Sequence, residues 1–129
     1  GTGQREVEMA RIVMVEDDRD VARLLATLLV DAGHEVHAAV DGQEGIALIQ
    51  QVRPDLALVD MTLPGAMDGL EVTRAVRATE GLADLPVWAL TARSRPEDRQ
   101  RGEEAGVSDY LVKPDGIVDL LPRIEAVLR

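Results

Sequence analysis

Residues 54–60, Pro-Asp-Leu-Ala-Leu-Val-Asp, place four consecutive apolar residues between a proline-led turn and an aspartate. A short, unbroken apolar run bounded in this way is typical of a strand that is buried on both faces of a sheet. Four similar runs occur elsewhere, at residues 12–15, 36–40, 87–90 and 110–112. We therefore predict five buried strands, of which residues 56–59 form the third.

The segments between these runs carry apolar residues at helical spacing. The clearest examples are Val21, Leu24, Leu25 and Leu28 in the first segment, and Ile117, Leu120, Leu121, Ile124 and Leu128 in the last. Strands and helices that alternate along a chain form a parallel sheet, because each helix must cross back over the sheet. The predicted fold class is α/β, a doubly wound five-stranded parallel sheet with helices on both faces.

Helix boundaries are indicated by capping residues and by breakers. Three pairs have the capping-box spacing of an oxygen acceptor and a carboxylate three residues later: Asp41 with Glu44, Asp68 with Glu71, and Ser94 with Glu97. The fourth helix, near residues 95–105, has almost no apolar face and contains Gly102, so we expect it to be marginally stable. Pro122 is unfavourable in a helix interior, which predicts a late start for the fifth helix, near Val118.

The composition is that of a single globular domain. The 129 residues are 46% apolar and 29% charged, and 14 basic against 24 acidic residues leave a formal net charge of −10. That charge repels nucleic acid and anionic membranes, and no apolar run is long enough to span a bilayer. The absence of cysteine excludes disulfides and Cys-ligated zinc. We expect a cytoplasmic protein without direct nucleic-acid contact or membrane insertion, with residues 1–8 as a leader or linker remnant and residues 9–129 as the domain.

Polar residues follow four of the five predicted strands. They are Glu16, Asp17 and Asp18 after the first strand, Asp60 after the third, Thr91 after the fourth and Lys113 after the fifth. In an open α/β sheet, ligands bind beyond the carboxyl ends of the strands, so we expect these groups to converge. Clustered carboxylates raise one another's pKa, and a set of oxygen donors without cysteine favours Mg²⁺. Asp18 is more simply explained as a helix cap.

Asp60 ends its strand alone, and we interpret it as a nucleophile that attacks phosphorus. Glu16 and Asp17 are adjacent and suit a metal ion. A metal ion and the Lys113 ammonium would neutralise the charge on a transferring phosphoryl group, and the Thr91 hydroxyl would donate to one of its oxygens. His34 and His37 point to opposite faces of a strand, which favours a surface pair over a metal site.

This ordered set of residues resembles the receiver domain of response regulators in two-component signalling. The resemblance runs from about Arg11 to Leu128. It rests on Glu16-Asp17, on Asp60 followed by Leu63-Pro64 and Asp68-Gly69, on Thr91-Ala92, and on Asp109-Tyr110 with Lys113-Pro114. The loop at residues 63–69 is one residue longer than the usual pattern, which leaves its conformation beside Asp60 open.

The resemblance implies a flavodoxin-like strand order, 2-1-3-4-5, and phosphorylation of Asp60 by a histidine kinase or a phosphotransfer domain. It implies that Mg²⁺ is held by Glu16, Asp17, Asp60 and the backbone carbonyl of Thr62. A switch through Thr91 and Tyr110 would change a binding face for a downstream protein. The domain would catalyse its own phosphorylation and its own slow dephosphorylation, the latter tuned by Thr62 and Arg93, without being an enzyme in the ordinary sense.

Other functions stay open at the level of sequence. One is a pseudo-receiver, an interaction module that works without phosphate, and a less favoured one is a phosphatase with an aspartate nucleophile. A flavin-binding protein shares the architecture, but its phosphate loop requires Ser, Thr and Gly where Glu16-Asp17-Asp18 stands. The basic run of Arg93, Arg95, Arg99 and Arg101 is either a solvated helix face or a docking surface.

Overall fold

The computed structural model describes residues 9–128, so the leader assigned to residues 1–8 lies outside the described residues. The strands are β1 (Arg11–Val15), β2 (Glu35–Ala39), β3 (Leu56–Val59), β4 (Val87–Thr91) and β5 (Asp109–Val112). The helices are α1 (Arg19–Asp31), α2 (Gly42–Val52), α3 (Gly69–Ala78), α4 (Pro96–Ala105) and α5 (Asp115–Leu128). The strands are parallel and lie in the order β2-β1-β3-β4-β5, which confirms the predicted fold class and strand order.

The hydrophobic core forms two layers, one on each face of the sheet. Alternate residues of a strand face opposite sides, so Ile12 of β1 packs with residues of α1 and α5, whereas Val13 packs with residues of α2 and α3. The central strands β1 and β3 are almost fully buried. The edge strand β2 pairs with β1 alone and is half-exposed, so the prediction of a buried second strand is wrong. No helix among residues 9–128 has the length and apolar character needed to cross a bilayer.

Two of the three predicted helix starts are confirmed by hydrogen bonds. The carboxylate of Asp41 accepts from the Glu44 N–H at 2.8 Å at the start of α2, and that of Asp68 accepts from the Glu71 N–H at 3.0 Å at the start of α3. Asp18 caps α1, since its carboxylate accepts from the N–H groups of the first turn. Each cap satisfies N–H groups that a helix leaves unpaired at its first turn.

The third predicted cap, Ser94 with Glu97, is wrong. Helix α4 begins at Pro96, and Arg95 is the residue before its first turn. Proline is favoured at the first helical position because it has no N–H to leave unpaired, and this moves the helix start one residue along. The Asp98 carboxylate, rather than that of Glu97, then accepts from the Arg95 N–H at 3.3 Å.

The predicted late start of α5 near Val118 is also wrong. The helix begins at Asp115, and Gly116 in its first turn packs closely on β5: a Cβ added at Gly116 would lie 2.8 Å from the Cβ of Leu111. Pro122 therefore lies inside the helix. Pro122 and Val118 are both exposed, so the hydrogen bond that proline removes is lost on the solvent-facing side of α5.

Two smaller expectations fail for reasons of packing. Helix α1 buries Leu25 and Leu29, and Leu24 is 50% exposed instead of facing the core. His34 is not a surface residue: it is buried ahead of β2, and its Nδ1 accepts the Ala10 N–H at 3.0 Å. Helical spacing alone does not show which of several neighbouring apolar residues is buried, because that depends on how the helix is oriented relative to the sheet.

Candidate functional site

The carboxyl ends of four strands bring the predicted site residues to one edge of the sheet. Glu16 follows β1, Asp60 follows β3, Thr91 ends β4 and Lys113 follows β5. Glu16, Asp60 and Thr91 are buried, at 3%, 8% and 0% exposure. Backbone hydrogen bonds at the ends of neighbouring strands hold these positions in register. The Asp60 N–H donates to the Val15 carbonyl at 3.0 Å, and the Lys113 N–H donates to the Thr91 carbonyl at 2.8 Å.

Lys113, the chain's only lysine, connects two of the carboxylates. Its Nζ lies 2.5 Å from Oε1 of Glu16 and 3.0 Å from Oδ2 of Asp60. Burial raises the pKa of Glu16, although the hydrogen bonds from Lys113 and from the Asp18 N–H oppose that effect. Burial by itself lowers the pKa of Lys113, but the bonds to Glu16 and Asp60 outweigh it, so its pKa is raised. Lys113 is therefore a stable cation beside Asp60.

Three carboxylates lie close enough together to share a cation. Oxygens of Glu16, Asp17 and Asp60 lie within 4.8 Å of one another, and Asp17 is exposed to solvent. Three negative charges against the one positive charge of Lys113 leave 3 − 1 = 2 formal negative charges at the site. A set of oxygen donors with one solvent-facing member fits Mg²⁺, which keeps several water ligands.

The backbone after β3 folds closely around Asp60. The Thr62 N–H donates to Oδ1 of Asp60 at 2.9 Å, so the main chain of residue 62 lies against the carboxylate. Gly69, at the start of α3, approaches so closely that an added Cβ would lie 2.2 Å from the Asp60 carbonyl oxygen. Any side chain at this position would displace the backbone that carries Asp60. In the sequence, Gly69 is indicated only by the family resemblance, as part of Asp68-Gly69.

Thr62 and Arg93, predicted to tune dephosphorylation, contact each other directly. The Arg93 Nε–H donates to Oγ1 of Thr62 at 2.6 Å, and the Arg93 backbone N–H donates to Oγ1 of Thr91 at 3.3 Å. The guanidinium also lies 3.7 Å from the carboxylate of Asp98, in the first turn of α4. Arg93 therefore links the loop after β3 to β4 and to α4. Asp98 carries no signal of this contact in the sequence, because a carboxylate in a first helical turn is common for other reasons.

Tyr110 is buried between β5 and α4, at 5% exposure. Its hydroxyl donates to the Arg93 carbonyl at 2.9 Å, and the guanidinium carbon of Arg99 lies 5.1 Å from the ring centroid. A Cβ on Gly102 would lie 3.1 Å from two ring carbons, so this glycine allows α4 to approach the ring. Burial and the charge of Asp98 raise the pKa of Tyr110. In the sequence, Gly102 indicated only a weak helix.

Comparisons with known proteins point to one family and one fold. The family model of the response regulator receiver domain matches residues 12–125. The "DNA-binding dual master transcriptional regulator RpaA" of Synechocystis sp. is 40% identical over 121 residues, which are 94% of this chain and 50% of that protein. This chain spans about half the length of the curated relatives that it matches.

Solved structures of similar proteins have the same fold. Chemotaxis protein CheY4 of Vibrio cholerae superposes with a TM-score of 0.82 at 33% identity, over 91% of this chain and 99% of that one. The Mn²⁺-bound form of response regulator Rcp1 superposes with a TM-score of 0.75 at 29% identity, over 92% of this chain and 91% of that one.

Proposed function

The chain belongs to the family of response regulator receiver domains, and from that premise we propose that Asp60 accepts a phosphoryl group from a histidine kinase or a phosphotransfer domain. The observation that carries the proposal is the 3.0 Å contact between Asp60 and the Lys113 ammonium, beside the carboxylates of Glu16 and Asp17. A carboxylate nucleophile next to a cation and a cation-binding cluster is the arrangement that phosphoryl transfer requires.

In the proposed reaction, a carboxylate oxygen of Asp60 attacks the phosphorus of a phosphohistidine. The new P–O bond forms as the P–N bond breaks, and the imidazole leaves with the electron pair and takes up a proton. Lys113 remains beside the product and neutralises one phosphoryl oxygen, while the buried Thr91 hydroxyl is available to donate to another. Attack by water on the aspartyl phosphate then releases inorganic phosphate and restores Asp60. We propose that Thr62, whose N–H donates to Asp60, and Arg93, which contacts Thr62, tune that hydrolysis.

Mg²⁺ is the cation that we propose for Glu16, Asp17, Asp60 and the backbone carbonyl of Thr62. When bound, it supplies positive charge that stabilises the phosphoryl oxygens during transfer. The support is the hard, all-oxygen character of the three carboxylates, and the two negative charges that Lys113 leaves unneutralised. The solved structure of response regulator Rcp1 is a Mn²⁺-bound form, and Mn²⁺ is a divalent ion that also prefers oxygen ligands.

We propose that phosphorylation changes the face formed by α4 and Tyr110. A phosphoryl group brings roughly 1.5 to 2 negative charges and new hydrogen-bond acceptors. It would draw the Thr91 hydroxyl and, with it, the Arg93 backbone that Thr91 contacts, whose carbonyl accepts the Tyr110 hydroxyl. Since α4 buries only Gly102 and Ala105, little energy opposes its movement. The result is a conformational switch that a downstream protein recognises.

The proposal places the domain in the cytoplasm, where histidine kinases deliver phosphoryl groups. RpaA is named as a DNA-binding regulator, but this chain covers about half of its length. For these 129 residues, whose net charge is −10, we propose a protein partner and no direct contact with nucleic acid.

The experiment is intact-mass analysis after incubation with acetyl phosphate, with and without Mg²⁺. We expect one phosphoryl group on the parent chain when Mg²⁺ is present and none on Asp60→Asn. Asp84→Asn, which removes an exposed carboxylate away from the site, serves as the matched control and should be phosphorylated like the parent. An adduct on Asp60→Asn would refute the assignment of the acceptor. No adduct on any variant would favour the pseudo-receiver.

A further inference from the structure

Helix α4 packs on the rest of the domain mainly through its C-terminal end. Its buried residues, Gly102 and Ala105, lie in its second half, and Val107, which follows the helix, is buried as well. The Ser108 N–H then donates to the Val87 carbonyl of β4 at 2.7 Å, so the chain joins the sheet within three residues of the helix end. Packing and the sheet therefore hold this end of α4 in place.

Arg77, on α3, binds the residue that follows α4. Its Nε–H and one terminal N–H group donate to the Gly106 carbonyl at 3.0 and 2.7 Å, and its other terminal nitrogen donates to the Leu85 carbonyl at 2.7 Å. Gly106 has a φ of +111°, and a Cβ there would lie 2.8 Å from Cγ of Arg77, so glycine allows this close approach. Since α3 buries Val72 and Val76, Arg77 ties the end of α4 to a well-packed helix.

The N-terminal end of α4 has no comparable attachment among residues 9–128. Pro96 is exposed, as are residues 92–95 before it. The first turn is linked through Asp98, whose carboxylate lies 3.7 Å from the Arg93 guanidinium. The backbone N–H of Arg93 in turn donates to the Thr91 hydroxyl at the candidate site. A change at the candidate site therefore reaches α4 at its N-terminal end.

We propose that α4 is a hinged helix: phosphorylation swings its N-terminal end, while Arg77 keeps its C-terminal end in place, with the pivot at Gly106. The inference rests on the proposed phosphorylation of Asp60, and it adds which part of the face formed by α4 and Tyr110 changes. A partner protein would meet a displaced first turn beside a last turn that stays where it is.

A hinge makes displacement grow with distance from the pivot. Glu97 and Glu103 lie nine and three residues before Gly106. At a rise of 1.5 Å per residue these separations are about 14 and about 5 Å along the helix axis. When the ten-residue helix moves as one body, position 97 is therefore displaced about threefold farther than position 103.

The test measures distances between pairs of spin labels in the full chain. The chain has no cysteine, so introduced cysteines are labelled selectively. Thr27→Cys, at an exposed position of α1, is the reference and is combined with either Glu97→Cys or Glu103→Cys, which are also exposed. After incubation with acetyl phosphate and Mg²⁺, with the phosphorylated fraction known from intact mass, the distance from position 27 should shift about threefold more at position 97 than at position 103.

Arg77→Gln removes the bonds to the Gly106 carbonyl and should free the C-terminal end, so that the two shifts become similar. Arg74→Gln is the matched control on the same helix. It removes an exposed arginine whose side chain has neither a hydrogen bond nor an ion pair among residues 9–128, and it should keep the threefold ratio. Circular dichroism checks the folding of both variants, and the ratio in the parent decides alone if Arg77→Gln does not fold.

The unphosphorylated protein separates the hinge from the proposed function. Because the N-terminal end of α4 is less firmly attached, the distance to position 97 should be more broadly distributed than the distance to position 103 even without acetyl phosphate. Equal widths would overturn the hinge. If intact mass shows no phosphoryl group, the function proposed for Asp60 is wrong, and unequal widths would still support the hinge. In a phosphorylated protein, equal shifts, a larger shift at position 103 or no shift at all would overturn it.

Discussion

Replacing Gly102 by alanine sets a gain in helix stability against a steric cost. Alanine in a helix interior is favoured over glycine by about 0.8–1 kcal/mol. The added Cβ, however, would lie 3.1 Å from Cδ2 and Cε2 of Tyr110, so the ring would have to move by a few tenths of an ångström. The hydrogen bond from the Tyr110 hydroxyl to the Arg93 carbonyl, 2.9 Å long, opposes that movement. Overpacking of this kind costs about 1–3 kcal/mol, so we expect Gly102→Ala to leave stability unchanged or lower.

Tyr110→Phe supplies the background in which the two effects separate. It keeps the ring but removes the hydroxyl that holds it to Arg93, so the ring can yield to the new methyl group. In this background Gly102→Ala should raise the free energy of unfolding by at least about 0.5 kcal/mol. The assay is urea unfolding of the four proteins of this double-mutant cycle, followed by Trp88 fluorescence and circular dichroism. A gain of the full ~1 kcal/mol in both backgrounds would refute the coupling between Tyr110 and α4.

Tyr110 is the only tyrosine, so ultraviolet absorbance should show it ionising above its ordinary pKa of 10.0, and closer to that value in Asp98→Asn. Because the pKa of Tyr110 is higher in the folded protein than in the unfolded one, the protonated phenol contributes its full stability below the unfolded-state pKa, and that contribution is lost as the pH rises through the folded-state pKa. A Tyr110 pKa at or below the ordinary value would contradict this expectation. Gly69→Ala places a Cβ against the Asp60 carbonyl oxygen and should lower the free energy of unfolding by roughly 1–3 kcal/mol, so an unchanged urea midpoint would argue against the close approach. Arg77→Gln removes guanidinium bonds to the carbonyls of Leu85 and Gly106, and should speed amide exchange at residues 105–108 while leaving α1 unaffected; equal protection in both proteins would show that this link is weak.

The fold was largely predictable because the strands of a parallel sheet are marked by short apolar runs. The run at residues 56–59 coincides with β3, and Asp41 and Asp68 cap α2 and α3 as their spacing indicates. The errors lie where tertiary packing overrides a local rule. Pro122 predicts a late start for α5, yet the helix begins at Asp115, with Gly116 packed against Leu111 in its first turn and Pro122 inside the helix.

The candidate site was predictable to the extent that strand ends determine it. Asp60 and Lys113 follow buried strands, and the parallel sheet brings such positions to one edge whatever the loops do. The contacts of Arg93 with Thr62 and of Gly102 with Tyr110 depend instead on loop conformation and helix placement. Residues that far apart in the chain leave no periodic signal of their contact, so the sequence alone did not indicate it.

Hydrogen exchange of residues 93–106 in the phosphorylated protein shows whether the phosphoryl group is coupled to α4. The same samples should be checked by intact mass, so that the fraction carrying a phosphoryl group is known. We expect that phosphorylation with Mg²⁺ changes protection in this segment of the parent, and that Asp60→Asn under the same conditions shows no change. Unaltered protection in a fully phosphorylated parent would contradict it, since the phosphoryl group would then not be coupled to α4.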